Sequence, residues 1–248
     1  MIIRSTDIRS ALRSRQRGFI MNPFAFGGGG GGGTDPDFAN VVLLLHGDGA
    51  NNGTTFTDSS AYARSVTVGS GSVTSTTQTK FGSASLSFPT SSNYATCADA
   101  AELRMGTSDF TIEAWFYPSG GSYPAFYAKG FNSSDGLQFF VGNSNCAFRA
   151  NGTTDLNAVG ISNSAWSHVA FCRQGTTRRI YINGSQAASD TLSFDNSSTS
   201  TLELGAIPTS ASGFRYTGYI DDLRVTKGVC RYPNGTTFTP PTAAFPNS

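Results

Sequence analysis

The chain has 248 residues, enough for one large β-domain or two small ones, and no internal repeat divides it. Gly, Ser, Thr and Asn are abundant while Glu occurs only at Glu102, Glu113 and Glu203, which excludes a mainly helical protein. The formal net charge of +1 is split, with +4 on residues 1–33 and −3 on the rest, and no apolar run nears the ~18 residues of a membrane-spanning helix.

In chain order, residues 1–26 read as a basic arm carrying Arg4, Arg9, Arg13, Arg15 and Arg17 against Asp7 alone. Residues 1–20 have the material for a short helix, with Ser5 or Thr6 as its N-cap and Ile8 and Leu12 on one face, too short to hold alone. Met21 offers an alternative start, so whether residues 1–20 belong to the mature protein stays open. Phe24 and Phe26 follow as exposed apolar groups. Two readings of the arm stand side by side, a solvated tail and a docking segment that folds on a partner. Residues 27–37 open with seven glycines, Gly27 to Gly33, and read as a flexible tether. This run lacks the Lys-Ser/Thr ending and the preceding strand of a phosphate loop. No signal-peptide apolar region is visible, so no secretion route is expected.

From residue 38 the pattern is of short strands and turns. Val41–Leu45 is a β-branched and apolar run, and residues 218–227 form a second near the end. Their presence at both ends predicts one closed β-domain over 38–248. Between them, 83–88, 109–118 and 136–141 have strand length and Gly, Pro or Asn boundaries. In the second of these, Phe110, Ile112, Ala114 and Phe116 share one face, predicted to be core, opposite Thr111, Glu113, Trp115 and Tyr117. Residues 167–173 and 178–183 predict a hairpin about 174–177, and Asn183-Gly184 supplies the positive φ angles of a type I′ turn into a third strand. About a dozen such segments are too many for one flat sheet, so two stacked antiparallel sheets are expected. If the closing strand is regular, Asp221 lies with Tyr219, Leu223 and Val225, and Asp222 with Ile220 and Arg224.

The four cysteines, Cys97, Cys146, Cys172 and Cys230, are widely spaced in a chain that needs no staples, and read as free thiols with no zinc site. His46 and His168, the only histidines, read as packed or hydrogen-bonded rather than catalytic. Glycoside hydrolysis needs two carboxylates about 5 to 9 Å apart, and Glu113 is followed by Ala114-Trp115-Phe116-Tyr117 with no second acid. No enzyme activity is expected.

Taken in order, Leu43–Gly49, 56–60, 81–86, 109–115, 166–170, 181–184 and 220–224 resemble the laminin G-like, concanavalin A-like jelly-roll domains. The ending 224–232 with 238–246 is similar to a subgroup found in tailed-phage virions. The resemblance implies an all-β, two-sheet antiparallel jelly-roll sandwich behind a short anchoring arm. It also implies a structural or adhesive virion component: a capsid decoration, head fibre or tail-associated protein on the virion surface, assembled in the host cytoplasm. Residues 1–26 would dock on another virion protein, and oligomerisation on the particle is expected. The alternatives are a host-recognition adhesin that binds a surface glycan and, behind it, a polysaccharide depolymerase. The family often holds a structural Ca2+ near its first and last strands, where Asp48, Asp58 and Asp222 fall; the other reading of these three is that they bond to turn amides. For a glycan, Trp115, Tyr117, Tyr123, Phe126, Tyr127, Phe131 and Tyr216 are aromatic candidates, more than half of them expected in the core, and none is singled out.

Overall fold

The computed structural model describes residues 33–120, 124–142, 144–152, 154–205, 207 and 214–248. The arm residues Arg4, Arg9, Arg13, Arg15, Arg17, Phe24 and Phe26, and the helix expected within 1–20, lie outside them, as does Tyr123. Two eight-stranded antiparallel sheets stack face to face. With strands numbered in chain order, the first sheet holds β1 (Val41–Leu45), β4 (Val73–Ser75), β5 (Ser85–Phe88), β7 (Phe110–Gly120), β12 (Ser167–Gln174), β13 (Thr177–Ile182), β14 (Ser185–Thr191) and β16 (Thr217–Lys227). The second holds β2 (Phe56–Thr57), β3 (Ser65–Gly69), β6 (Tyr94–Cys97), β8 (Ala125–Lys129), β9 (Leu137–Gly142), β10 (Asn145–Ala150), β11 (Thr154–Val159) and β15 (Leu202–Leu204). No described helix is long and apolar enough to cross a membrane.

The all-β sandwich expected from the sequence is the observed architecture. Its first and last strands pair, Leu45 opposite Leu223 and Leu44 opposite Arg224. The core lies between the sheets, where Phe116 of the first sheet meets Phe126 of the second at a centroid distance of 4.5 Å and Phe171 meets Phe139 at 4.5 Å. Phe110, Ile112, Ala114 and Phe116 all face this core. The β12–β13 hairpin and the Asn183-Gly184 turn are as expected, with φ of 49° and 82° at the two turn residues.

Two expectations need correcting. β16 is not regular: Asp221 pairs Trp115 and Arg224 pairs Glu113, so β16 fits one extra residue into the ladder. Asp222 takes the left-handed conformation at φ 55° and forms this bulge, which resets the alternation. Ile220, Leu223 and Val225 therefore all enter the core, and Leu223 and Val225 do not share the face of Asp221. The second correction concerns the linker. Asp35, assigned to the tether, is a buried part of the domain, and its amide bonds to the carbonyl of Ser248 at 2.7 Å.

The outer face of the first sheet is covered as well. Arg224 reaches Glu113 at 2.7 Å and Asp35 at 3.0 Å, Arg231 reaches Asp35 at 2.8 Å, and Tyr232 Oη donates to Glu113 at 2.6 Å. The C-terminal residues thus form a lid of paired charges and rings over Thr111, Glu113, His168 and Tyr181, while Lys80 and Phe81 cover Trp115. Burial raises the cost of a charge on Glu113, but Arg224, His168 and Arg231 together outweigh it and hold the carboxyl well below the usual range.

Candidate functional site

With the outer face of the first sheet covered, the place left for a site is the outer face of the second sheet. Its register sets one row of side chains across seven strands, Thr67–Thr96–Glu203–Ala128–Gln138–Arg149–Asp155. The alternation in these strands sends Ala95, Leu202, Leu204, Phe139 and Phe148 inward and leaves the row outward. Ala128 is the small residue of the row, with Glu203 on one side and Gln138 on the other. Gln138 is buried, its Nε2 donates to the Gly130 carbonyl at 2.9 Å, and its Oε1 has no hydrogen-bond partner. Burial pushes the Glu203 carboxyl up to about 7.

At the β3–β6 end this face continues into an open cleft of about 250 Å³ lined by Tyr62, Arg64, Ser65, Cys97, Ala98, Asp99 and Ala100. Tyr62 is 42% exposed, one of only two large hydrophobic residues exposed among the described residues. The guanidinium of Arg64 lies 4.5 Å from its ring centroid, so the exposed area belongs to the other face and the edge. Arg64 is itself fixed, donating to the Val42 carbonyl at 2.9 Å and pairing with Glu102 at 3.0 Å. Across the cleft, Asp99 accepts from Lys129 Nζ at 2.6 Å and pairs with Arg104. The Arg104 hydrogen bond, with that of Lys129, keeps its carboxyl far below the ordinary value and therefore ionised.

The loop that presents Tyr62 is built on Asp58. One carboxylate oxygen accepts the amides of Leu44 and Ser60, both at 2.9 Å, and the other accepts the Arg64 amide at 2.8 Å and Ser60 Oγ at 2.9 Å. Asp222 accepts from the Phe245 amide at 2.7 Å and meets His46 Nδ1 at 2.6 Å, while Asp48 accepts from Ser83. Asp58 and Asp222 have both oxygens engaged, and among the described residues no group of three or more His, Cys, Asp or Glu is arranged to hold a metal ion. The three carboxylates engage amides, hydroxyls and an imidazole, which does not fit a shared calcium site.

The aromatic candidates are placed as follows. Phe126, Tyr127 and Tyr216 are wholly buried, Trp115 is buried, Tyr117 packs on Trp166 and Tyr219, and Phe131 packs on Phe214. Tyr62 was not among them. Its signal was present in Asp58-Ser59-Ser60, a turn that ends a strand pattern just before a lone Tyr-Ala-Arg. His168 is fully buried with Nε2 3.2 Å from Glu113 Oε2, and His46 bridges Asp222 and Asn247.

In comparison with known proteins, the family model of the concanavalin A-like lectin/glucanases superfamily matches residues 89–230, more than half of the chain. No curated protein sequence matches it. Domain 4 of AbnA, an extracellular arabinanase from Geobacillus stearothermophilus, solved in complex with arabinotriose, is 15% identical with a TM-score of 0.59, covering 77% of this chain and 94% of that one. The binding domain of Paraclostridial Mosquitocidal Protein 1 is 14% identical with a TM-score of 0.58, covering 77% of this chain and 49% of that one. The botulinum neurotoxin serotype D binding domain is 14% identical with a TM-score of 0.55, covering 78% of this chain and 49% of that one. The chain thus spans about half the length of these two binding domains and nearly all of the arabinanase domain, and at such identities the likeness is one of fold. By the match over 89–230, the chain belongs to the concanavalin A-like lectin/glucanases superfamily.

Proposed function

We propose that this domain is a lectin-like binding module, without enzyme activity, that takes a saccharide unit in the Tyr62 cleft. The observation that carries the reading is the exposed Tyr62 ring, held rigid by Arg64 above a cleft with an ionised Asp99. An exposed aromatic face with a few fixed polar groups is what a sugar ring needs, apolar C–H groups on one side and hydroxyls on the other. The cleft, about 250 Å³, is smaller than the ~300 Å³ of the smallest drug-sized sites, which favours one sugar ring over a long oligosaccharide in that position. That a domain of the same fold was solved in complex with arabinotriose supports the class of ligand. Glu113, engaged by Arg224 and Tyr232 beneath the C-terminal lid, is a poor candidate for hydrolysis. No new reducing ends are expected on incubation with capsular polysaccharide.

The test is glycan-array screening followed by titration of the best binder. Tyr62→Ala should weaken binding at least tenfold, about 1.4 kcal/mol, with an unchanged melting temperature. Undiminished binding by the variant refutes the cleft, and an array on which the intact chain binds nothing refutes the module.

The finer reading is that this module is displayed on a tailed-phage particle, as a decoration, fibre or tail-associated protein. Its support is the basic leader, the glycine tether and the similarity of 224–246 to phage virion domains. Deleting residues 1–33 should then abolish incorporation into particles while leaving glycan binding intact.

A further inference from the structure

Cys172 is fully buried on the outer face of the first sheet, and Cys230 sits just beyond β16 in the segment that folds back over that face, partly exposed. Thr111, opposite Cys172 in the β7–β12 register, ties the two together. Its Oγ1 lies 3.7 Å from Cys172 Sγ, donates to the Val229 carbonyl at 3.1 Å and accepts the Arg231 amide at 2.9 Å. The residues on either side of Cys230 are therefore pinned to the group that touches Cys172. Cys230 packs on the cluster of Ala170, Cys172 and Tyr181, so the two thiols lie in one apolar patch beneath the lid. A disulfide would bring these two sulfurs to ~2.05 Å, a rearrangement that the lid segment, which carries Cys230 outside any strand, can supply.

We propose that Cys172 and Cys230 form a disulfide site, closed by exchange with a low-molecular-weight disulfide when the protein meets an oxidising medium. The neighbouring Cys172 lowers the pKa of Cys230, whereas burial raises that of Cys172, and Cys230 is also the more exposed of the two, so Cys230 supplies the attacking thiolate. Cys230 Sγ attacks one sulfur of the reagent, forming a mixed disulfide and expelling one thiolate. Cys172 then loses its proton to that released thiolate and attacks Cys230 Sγ, expelling the second. Two protein thiols are oxidised by two electrons in all, and one external disulfide is reduced to two thiols. The product is a covalent fastening of the C-terminal lid onto β12.

The test is incubation of the full chain with oxidised glutathione at pH 8. Thiol titration in denaturant should fall from the four of the sequence to two, and peptide mapping should join the Cys172 and Cys230 peptides. The melting temperature should rise by roughly 5–10 °C. Cys230→Ser treated alike should keep its three remaining thiols. Four surviving thiols, a bond between any other pair, or a glutathione adduct persisting on Cys230 would overturn the proposal; peptide mapping of the wild-type chain decides it whether or not the variant folds.

Discussion

Asp221 and Asp222 are neighbours in sequence with different tasks. Asp222 bends the backbone and binds His46 and the Phe245 amide. Asp221 accepts the Lys80 and Phe81 amides at 2.7 and 3.2 Å, yet burial outweighs both and pushes its carboxyl up to about 7. A carboxyl whose pKa is raised on folding binds its proton more tightly in the native state, so stability falls as pH rises from about 4 to about 7. Asp221→Asn keeps an acceptor for the amides and removes the charge. It should flatten that slope and stabilise the protein at pH 8 by roughly 2–4 kcal/mol, measured as urea midpoints across pH. For His46, burial disfavours the charge but the Asp222 and Asn247 hydrogen bonds raise the pKa overall, so its contribution is complete below 6.5 and is lost as pH rises through the higher folded value. The sequence supports only the expectation of a regular strand with Asp221 beside Leu223 and Val225, which the bulge at Asp222 overturns. Both carboxyls are buried, and the bulge that separates their partners could not be read because it depends on the pairing with β7.

Among the elements, hairpins and the core face of β7 were legible because their signals are local: two-residue alternation, and Asn-Gly at a turn. The cover on the other face of β7 was not, since it comes from residues more than a hundred positions away. The Asn183-Gly184 turn joins the two kinds of information. Gly184 has φ 82°, and a Cβ there would lie 1.9 Å from the Phe238 carbonyl oxygen. The Phe238 amide bonds to the Gly184 carbonyl at 2.9 Å, and its ring stacks on Tyr232 at 3.5 Å. Gly184→Ala should therefore strain the turn and lift the lid, costing about 2–3 kcal/mol in chemical denaturation. The Tyr62 cleft was hidden for the same reason as the lid. Asp58 reads as a ligand or a turn residue in sequence, and only its four donors show that it holds the loop of Tyr62.

At the scale of the whole molecule, the pairing of the outermost strands was readable from two apolar runs, and it makes the domain self-contained. The exact start was not readable, because a single buried Asp beside seven glycines carries no local pattern. A chain beginning at residue 34 should melt at the temperature of the full chain. One beginning at residue 38 loses Asp35, leaves Arg224 and Arg231 without that partner, and should melt several degrees lower by calorimetry. Equal melting temperatures for the two would show that Asp35 adds nothing.

The position of Asp35 also has a mechanical consequence. A pull through the leader reaches this carboxylate before it reaches β1, and Arg224 passes the force to β16, which lies inside the sheet against β7. Tension applied through the leader would then shear a long central ladder instead of peeling a strand from the rim, which is the more resistant geometry under load.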